Sequence, residues 1–128
     1  MRILLDTCTF LWMVEGDTDL SARAREAIVD PSNEVYLSPV SVWEIVTKQA
    51  LGRLVLKVPA DRYVPEQRQL HRVDTLPVTE YAALQLSRLP LHHRDPFDRL
   101  LMAQAVAEAC TIATPDPQIR LYPVSTIW

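Results

Sequence analysis

Short apolar runs alternate with longer segments of helical periodicity along the whole chain. Each run ends at a polar or turn-forming residue, which is typical of a short strand buried inside a sheet. The predicted strands are residues 2–6, 34–38, 73–78, 111–114 and 124–127. The segments between them space apolar residues three and four positions apart, as in a helix that buries one face. The predicted helices are residues 7–15, 21–29, 38–51, 60–72, 79–89 and 96–109.

Residues that favour helix ends mark several of these boundaries. Gly16 follows the first predicted helix and Gly52 follows the third, and glycine commonly ends helices. Ser38 and Pro39 suit the start of the third helix as a cap and a first-turn proline. Pro65 falls inside the fourth predicted helix, where we expect it to disturb the hydrogen-bond pattern.

The order of these elements predicts the fold class. Strands and helices alternate, and the chain has neither a β-hairpin signal nor an internal repeat. This pattern indicates an α/β domain with a mainly parallel sheet between helices. A chain of 128 residues suits one domain, which we assign to residues 1–128. Ligands of such sheets bind beyond the carboxyl ends of the strands, so a site is expected at that edge.

Composition predicts a globular protein of the cytoplasm. Hydrophobic residues make up 48% of the chain and charged residues 23%. No apolar run approaches the roughly 18 residues that a membrane span requires. An acid at Asp6 comes too early for a secretory signal, so we expect a cytoplasmic location. Cys8 and Cys110 lie far apart in the sequence and are expected to be reduced thiols.

Charge and motif content exclude several function classes. The net charge of −3 argues against a broad nucleic-acid-binding surface, although it allows a local site where cations neutralise acids. The two glycines, Gly16 and Gly52, cannot build a phosphate-cradling or dinucleotide-binding loop. The chain has no G-x-S-x-G segment, and its three histidines form no H-E-x-x-H segment.

Acidic residues adjoin several of the predicted strand ends. Asp6 and Asp116 come at or just after strands, and Glu44 lies in the helix that follows another strand. Asp95 and Asp98 are three residues apart at the start of the last predicted helix, which puts them on one helical face. Because the carboxyl ends of parallel strands share one edge of the sheet, we expect these side chains to gather there.

Each acid has a structural explanation on its own, but the group as a whole favours a metal site. Asp6 and Asp95 could cap helices, and Glu44 could pair with Lys48 four residues later. Two carboxylates about 4 Å apart, however, repel by roughly 4 kcal/mol at an effective dielectric of about 20. A divalent cation removes that penalty, and Mg²⁺ or Mn²⁺ suits an oxygen-rich site better than zinc does. Carboxylate-held Mg²⁺ can activate water for phosphodiester cleavage.

Five segments spread over nearly the whole chain match one family in order. They are residues 4–7 (LLDT), 41–48 (SVWEIVTK), 51–54 (LGRL), 92–105 (HHRDPFDRLLMAQA) and 114–116 (TPD). On these segments the chain resembles the PIN-domain family, and within it the VapC-type toxin ribonucleases of toxin–antitoxin pairs. The resemblance implies a three-layer α/β/α fold and metal-dependent endoribonuclease activity on RNA. It also implies a homodimer that a cognate VapB-type antitoxin holds inactive.

The resemblance also implies which acids form the site. Asp6, Glu44, Asp98 and Asp116 match the four acidic positions of the family and are expected to be catalytic residues and ligands of Mg²⁺ or Mn²⁺. Asp6 and Asp98 are the expected principal ligands, and the other two would complete the site and orient water. Asp95 matches an additional acid that this subgroup carries just before its proline. It could instead serve only as the cap of the helix.

Residues next to the acids receive supporting roles. Those expected to contact RNA phosphates, or else to pair with neighbouring acids, are Lys48, Arg94 and Arg99. His92 and His93 are expected to be loop residues at the rim, because a metal-activated water needs no histidine base. Thr7 and Thr114 could orient Asp6 and Asp116 by hydrogen bonds, or fill ordinary turn roles.

Three other functions fit parts of the pattern. A phosphatase with an aspartyl nucleophile could use Asp6, but such enzymes carry a second acid two residues later, where this chain has Cys8. A receiver-type signalling domain would need an acidic pair and a strand-end lysine, which the chain lacks. A non-catalytic PIN-like module that binds RNA or protein is the main alternative to the nuclease.

Overall fold

A five-stranded parallel sheet lies at the centre of the computed structural model, which describes residues 1–128. Its strands are β1 (Arg2–Leu5), β2 (Glu34–Leu37), β3 (Asp74–Thr75), β4 (Thr111–Ala113) and β5 (Ser125–Ile127). The helices are α1 (Thr7–Glu15), α2 (Ala22–Val29), α3 (Pro39–Ala50), α4 (Ala60–Leu70), α5 (Glu80–Leu84) and α6 (Pro96–Glu108). The strand order β3-β2-β1-β4-β5 and the parallel pairings confirm the predicted α/β class.

Both faces of the sheet are buried. Successive residues of β1 point to opposite sides of the sheet, and they belong to two different apolar clusters. Ile3 and Leu5 belong to an apolar cluster that includes Phe10 of α1 and residues of α3 and α4. Leu4 belongs to a second cluster, with Leu101 and other residues of α6. The sheet therefore lies between two helical layers, which confirms the predicted three-layer arrangement.

Two elements on the β3 side of the molecule differ from the sequence prediction. The strand predicted over 73–78 is reduced to Asp74–Thr75, and one further backbone bond joins Leu76 to Leu37. Pro77 follows and has no N–H to continue the pairing. The single helix predicted over 79–89 is instead α5 followed by a 3-10 turn at Gln85–Arg88.

Pro65 does not break the helix that contains it. The continuous helix α4 runs from Ala60 to Leu70, with Pro65 inside it. The proline removes the N–H that would bond to the carbonyl of Asp61. Asp61 and Pro65 are both exposed, so water can hydrogen-bond that carbonyl and the cost of the missing bond is small.

A buried amide fixes α6 against the rest of the fold. Ser38 donates a hydrogen bond from its hydroxyl to Oε1 of Gln104. The Nε2 group of Gln104 donates to the backbone carbonyls of Leu76 (3.1 Å) and Pro77 (3.3 Å). Gln104 is fully buried, so these bonds satisfy a side chain that would otherwise be costly to bury. The network ties α6 to the carboxyl end of β2.

The parallel register brings three chain segments to one edge of the sheet. Leu5 pairs with Leu37 on one side and with Ala113 on the other. The residues that follow these strand ends, Asp6 and Thr114 among them, therefore emerge side by side. No helix of the structure combines the length and the apolar character that a membrane span requires.

Candidate active site

Asp6 lies immediately after β1 and caps α1. Its Oδ1 atom accepts hydrogen bonds from the backbone N–H of Thr9 at 2.9 Å and from the thiol of Cys8 at 3.3 Å. Asp6 is 4% exposed, and its other oxygen, Oδ2, has no hydrogen-bond donor in the protein. The predicted cap is therefore present, and it uses only the Oδ1 atom of the carboxylate.

Glu44 is a buried acid on α3 that faces α1. Its Oε1 atom accepts a 2.7 Å hydrogen bond from the hydroxyl of Thr7, and its Oε2 atom accepts one from the ammonium of Lys48. The predicted ion pair with Lys48 is thus confirmed, whereas the Thr7 hydroxyl contacts Glu44 and not Asp6. The hydrogen bond that Lys48 donates to Glu44 raises the pKa of Lys48, so the ammonium stays charged near this acid.

Asp95 and Asp98 both lie at the start of α6. Asp95 is the N-cap, with its Oδ1 atom 2.9 Å from the backbone nitrogen of Phe97, and Pro96 occupies the first helical position. Asp98 follows in the first turn and is half-buried. The sequence prediction of the cap is confirmed, and the cap leaves the Asp98 side chain free for other contacts.

Asp116 is held in a tight turn after β4. Its backbone N–H donates to the hydroxyl of Thr114 at 3.1 Å, so the threonine has the turn role that was its alternative and does not contact the carboxylate. Its Oδ1 atom accepts a 2.8 Å bond from the backbone N–H of Gln118. The hydroxyl of Thr9 bonds to the carbonyl of Ala113 at 2.9 Å and joins α1 to the same strand end.

His93 connects two of the acids, although the sequence suggested a loop residue at the rim. Its Nε2 atom lies 3.0 Å from Oδ2 of Asp98 and 3.1 Å from Oδ2 of Asp116. Its side chain is only 12% exposed. His92, in contrast, is exposed and packs its ring edge-on against Tyr122. The doublet alone could not distinguish the two histidines, because only the folded loop determines which ring turns inward.

Burial and neighbouring charges change the acidity of groups in the site. Burial, followed by the charges of Asp95 and Asp6, raises the pKa of Asp98 to about 7. Burial also raises the pKa of the Cys8 thiol, with the Asp6 charge as the second cause. Both cysteines are free, as predicted, and Cys8 is a protonated hydrogen-bond donor to Asp6. An acid as strongly perturbed as Asp98 is a marker of a functional site.

The acids line one open cleft of about 350 Å³ at the carboxyl edge of the sheet. Its charged lining residues are Asp6, Glu44, Lys48, Arg53, Asp95, Asp98 and Asp116. All five predicted acids and Lys48 are therefore brought together. Arg53 is an additional basic residue that sequence reasoning did not single out. It lies directly after Gly52, in one of the segments on which the family resemblance was based.

Two arginines of the sequence prediction do not line the cleft. Arg99 donates to the carbonyl of Pro90 at 2.7 Å and to the hydroxyl of Tyr122 at 3.2 Å. These bonds give Arg99 a role in holding the 90–95 loop, and its predicted contact with RNA stays a prediction. Arg94 is exposed outside the cleft, and the predicted contact between this arginine and RNA stays a prediction.

The donor set of the cleft suits a hard divalent cation. Oδ2 of Asp6 and Oδ1 of Asp98 receive no hydrogen bond from the protein. The cleft is lined by five acidic side chains and only two basic ones. Both oxygens of Glu44 are occupied by Thr7 and Lys48. Both oxygens of Asp116 also have partners, Gln118 and His93. Asp6 and Asp98 are therefore the residues best placed to ligate Mg²⁺ or Mn²⁺ directly, with Glu44 and Asp116 beside them.

Comparisons with known proteins agree with this architecture. The model of the PIN domain family matches residues 3–124. Ribonuclease VapC22 of Mycobacterium tuberculosis (strain ATCC 25618 / H37Rv) is 28% identical over 131 residues, which cover 98% of each chain.

Solved structures share the fold at lower sequence identity. VapBC2 from Rickettsia felis, bound to a DNA fragment from their promoter, matches with a TM-score of 0.75 at 14% identity and covers 100% of this chain and 99% of that one. VapBC-1 from nontypeable Haemophilus influenzae matches with a TM-score of 0.68 at 16% identity and covers 99% and 97%. These likenesses confirm the fold over the whole length of the chain.

Proposed function

Because the chain belongs to the PIN domain family, we propose that it is a divalent-metal-dependent endoribonuclease and the toxin of a VapBC-type toxin–antitoxin pair. In this proposal residues 1–128 act as one catalytic unit in the cytoplasm, and Asp6, Glu44, Asp98 and Asp116 form its active site. The similarity to a protein named as a VapC ribonuclease, over nearly the full length of both chains, supports the choice of reaction.

The observation that carries the proposal is the convergence of acids from four separate elements. Asp6 follows β1, Glu44 lies on α3, Asp98 lies on α6, and Asp116 follows β4. All four line the same cleft. Helix caps alone would not explain this arrangement, because burial, together with repulsion from neighbouring acids, raises the pKa of Asp98 to about 7. A structure that tolerates such a cost without function is unusual.

A bound Mg²⁺ or Mn²⁺ would supply Lewis acidity for water activation and offset the charge that develops on the phosphate during hydrolysis. The protein supplies the oxygen donors for the cation, chiefly Asp6 and Asp98. The bonds from Thr9 to Asp6 and from Gln118 to Asp116 fix the direction of the remaining carboxylate oxygens. Glu44, held by Thr7 and Lys48, would help to orient the attacking water.

The basic residues of the cleft suit an RNA substrate. Lys48 and Arg53 line the cleft beside the acids, so both can meet phosphate oxygens that flank the scissile bond. Arg94, on the exposed loop before α6, is a further candidate for a phosphate contact. With a net charge of −3, this local positive charge is where we expect the RNA backbone to bind.

We also assign a protein partner and an oligomeric state to this chain. The fold is shared with VapBC assemblies, which supports a VapB-type antitoxin as the partner. We propose that the toxin forms a homodimer, as the family resemblance implies. Several large apolar side chains remain exposed, among them Trp43, Leu51 and Val55. Exposed residues of this kind are available for such interfaces.

RNA cleavage by the purified protein tests the proposed activity. Wild type should cut a mixed RNA pool with Mg²⁺ or Mn²⁺ and lose this activity in EDTA. Asp6→Asn and Asp98→Asn should abolish cleavage, because each removes a charge that holds the cation. Asp61→Asn is a matched control, since Asp61 is an exposed acid on α4 outside the cleft. Cleavage that survives in either site variant would refute the site assignment, and metal binding without cleavage of any RNA would favour the non-catalytic binding module.

A further inference from the structure

His93 is held by hydrogen-bond contacts of both its backbone and its imidazole ring. Its backbone N–H donates to the hydroxyl of Tyr122 at 2.7 Å. Its ring atom Nδ1 accepts a 3.1 Å hydrogen bond from the backbone N–H of Asp95. Its other nitrogen, Nε2, lies between the Oδ2 atoms of Asp98 and Asp116. This degree of restraint is more than a loop residue at a rim would need.

The contact at Nδ1 determines which nitrogen carries the ring proton. An atom that accepts from a backbone N–H must present a lone pair, so Nδ1 carries no proton. The proton of the imidazole is therefore on Nε2, where two carboxylate oxygens are the only partners at hydrogen-bond distance. The Nε2–H group is a donor shared between Asp98 and Asp116.

This tautomer decides between two roles for the histidine. His93, Asp98 and Asp116 place possible ligand atoms within 4.8 Å of one another, close enough for all three to hold one cation. A histidine ligand, however, binds a metal through the lone pair of its nitrogen, and Nε2 has none while it carries the proton. The backbone N–H of Asp95 would have to lose its acceptor before Nε2 could become a ligand.

We propose that His93 is a positioning residue of the metal centre and lies outside the coordination sphere, an inference that rests on the proposed function. Its Nε2–H bonds to one oxygen of Asp98 and one of Asp116 and holds together two carboxylates that would otherwise repel. The bond leaves Oδ1 of Asp98 free to face the cation. Asp95 then has a second task besides capping, because its backbone sets the tautomer.

Nitrogen NMR of the unmodified protein tests the tautomer directly. The chain has three histidines, so ¹⁵N-labelled imidazoles give few signals, and His93→Gln and His92→Gln identify them. We expect the Nε2–H tautomer of His93 both without metal and at saturating Mg²⁺. A Nδ1–H tautomer in either state, or a coordination shift of Nε2 on metal addition, would overturn the proposal. Pulsed EPR of the Mn²⁺ complex should show no coupling to a directly bound imidazole nitrogen, and such a coupling would also overturn it.

Calorimetry of Mn²⁺ binding tests the positioning role. His93→Leu removes the donor and should weaken Mn²⁺ binding by about tenfold, the lower end of what loss of a residue that orients metal ligands costs. His93→Gln can place an amide N–H near the same point and should recover most of the affinity. His71→Leu is the control, because His71 follows α4 and does not line the cleft. Unchanged or tighter binding in His93→Leu would overturn the role, since tighter binding means that the imidazole competes with the cation.

The failure of this inference and the failure of the proposed function give different results. If Asp6→Asn and Asp98→Asn bind Mn²⁺ as wild type does, the metal centre is misplaced and the proposed function fails. The tautomer of His93 in metal-free protein is measured without reference to metal or activity. A Nδ1–H signal there refutes the inference even when the nuclease assignment holds.

Discussion

At the scale of single residues, Asp98 shows most clearly what the site costs the fold. Burial and the charges of Asp95 and Asp6 raise its pKa to about 7, from an ordinary value of 3.8. An acid whose pKa is higher in the folded state binds more protons there than in the unfolded state. The contribution of this carboxyl to the free energy of unfolding is then fully present below about pH 4 and is lost progressively as the pH rises to about 7.

Asp98→Asn should therefore stabilise the metal-free protein at neutral pH. The amide stays neutral at every pH, so the variant escapes the cost of ionising a buried carboxyl. We expect its denaturation midpoint to exceed that of wild type above about pH 7 and the difference to shrink toward pH 4. Urea unfolding in EDTA across this range measures the effect, and a variant that is less stable at pH 8 would contradict it.

The identity of the acids could be predicted from the sequence, whereas the contacts of several neighbours could not. Asp6, Glu44 and Asp98 stand out as a group, because a parallel sheet gathers them at one edge and they match acidic positions of the family. The inward turn of His93 depends on the hydroxyl of Tyr122, 29 residues away. No local pattern carries that information, and the same is true of the bonds from Arg99 to the loop.

At the scale of elements, α6 combines a structural start with a functional first turn. Asp95 caps the helix with its side chain, and Pro96 supplies the first helical position. Asp98 then points its carboxylate to the cleft. Pattern and caps together predicted this helix within one residue of its end, because the signals are local. The end of β3 follows from Pro77, which has no N–H to continue the pairing, whereas no local pattern marks the change from α5 to a 3-10 turn at Gln85.

The cap and the charge of Asp95 can be separated by two substitutions. Asp95→Ala removes the cap and should lower the free energy of unfolding by about 1 kcal/mol. Asp95→Asn keeps a good capping side chain and removes only the charge, so it should cost much less. Ser21→Ala is a matched control for loss of a cap, because Ser21 accepts an equivalent bond at the start of α2. Equal losses in both Asp95 variants, measured by urea unfolding, would show that charge and not capping is what matters there.

At the scale of the whole molecule, the parallel register is what turns scattered acids into a site. The strands β1 and β4 end beside each other, and β2 delivers α3 to the same edge. The fold thereby places the five carboxyl groups of the cleft against only two basic side chains, Lys48 and Arg53. Such an excess of negative charge opposes folding until a cation is bound, so metal binding and stability should be coupled.

Saturation with metal should therefore raise the unfolding temperature of the protein. A ligand at 100 times its dissociation constant adds about 2.7 kcal/mol, which for a chain of this length corresponds to roughly 10 °C. We expect that rise with Mn²⁺ for wild type and little of it for Asp98→Asn, which already lacks the charge that the cation offsets. Sodium chloride at matched ionic strength is the control for general screening of surface charge. Scanning calorimetry measures the unfolding temperature in each case. An equal rise of the unfolding temperature in salt alone would mean that screening of surface charge, and not metal binding in the cleft, stabilises the protein.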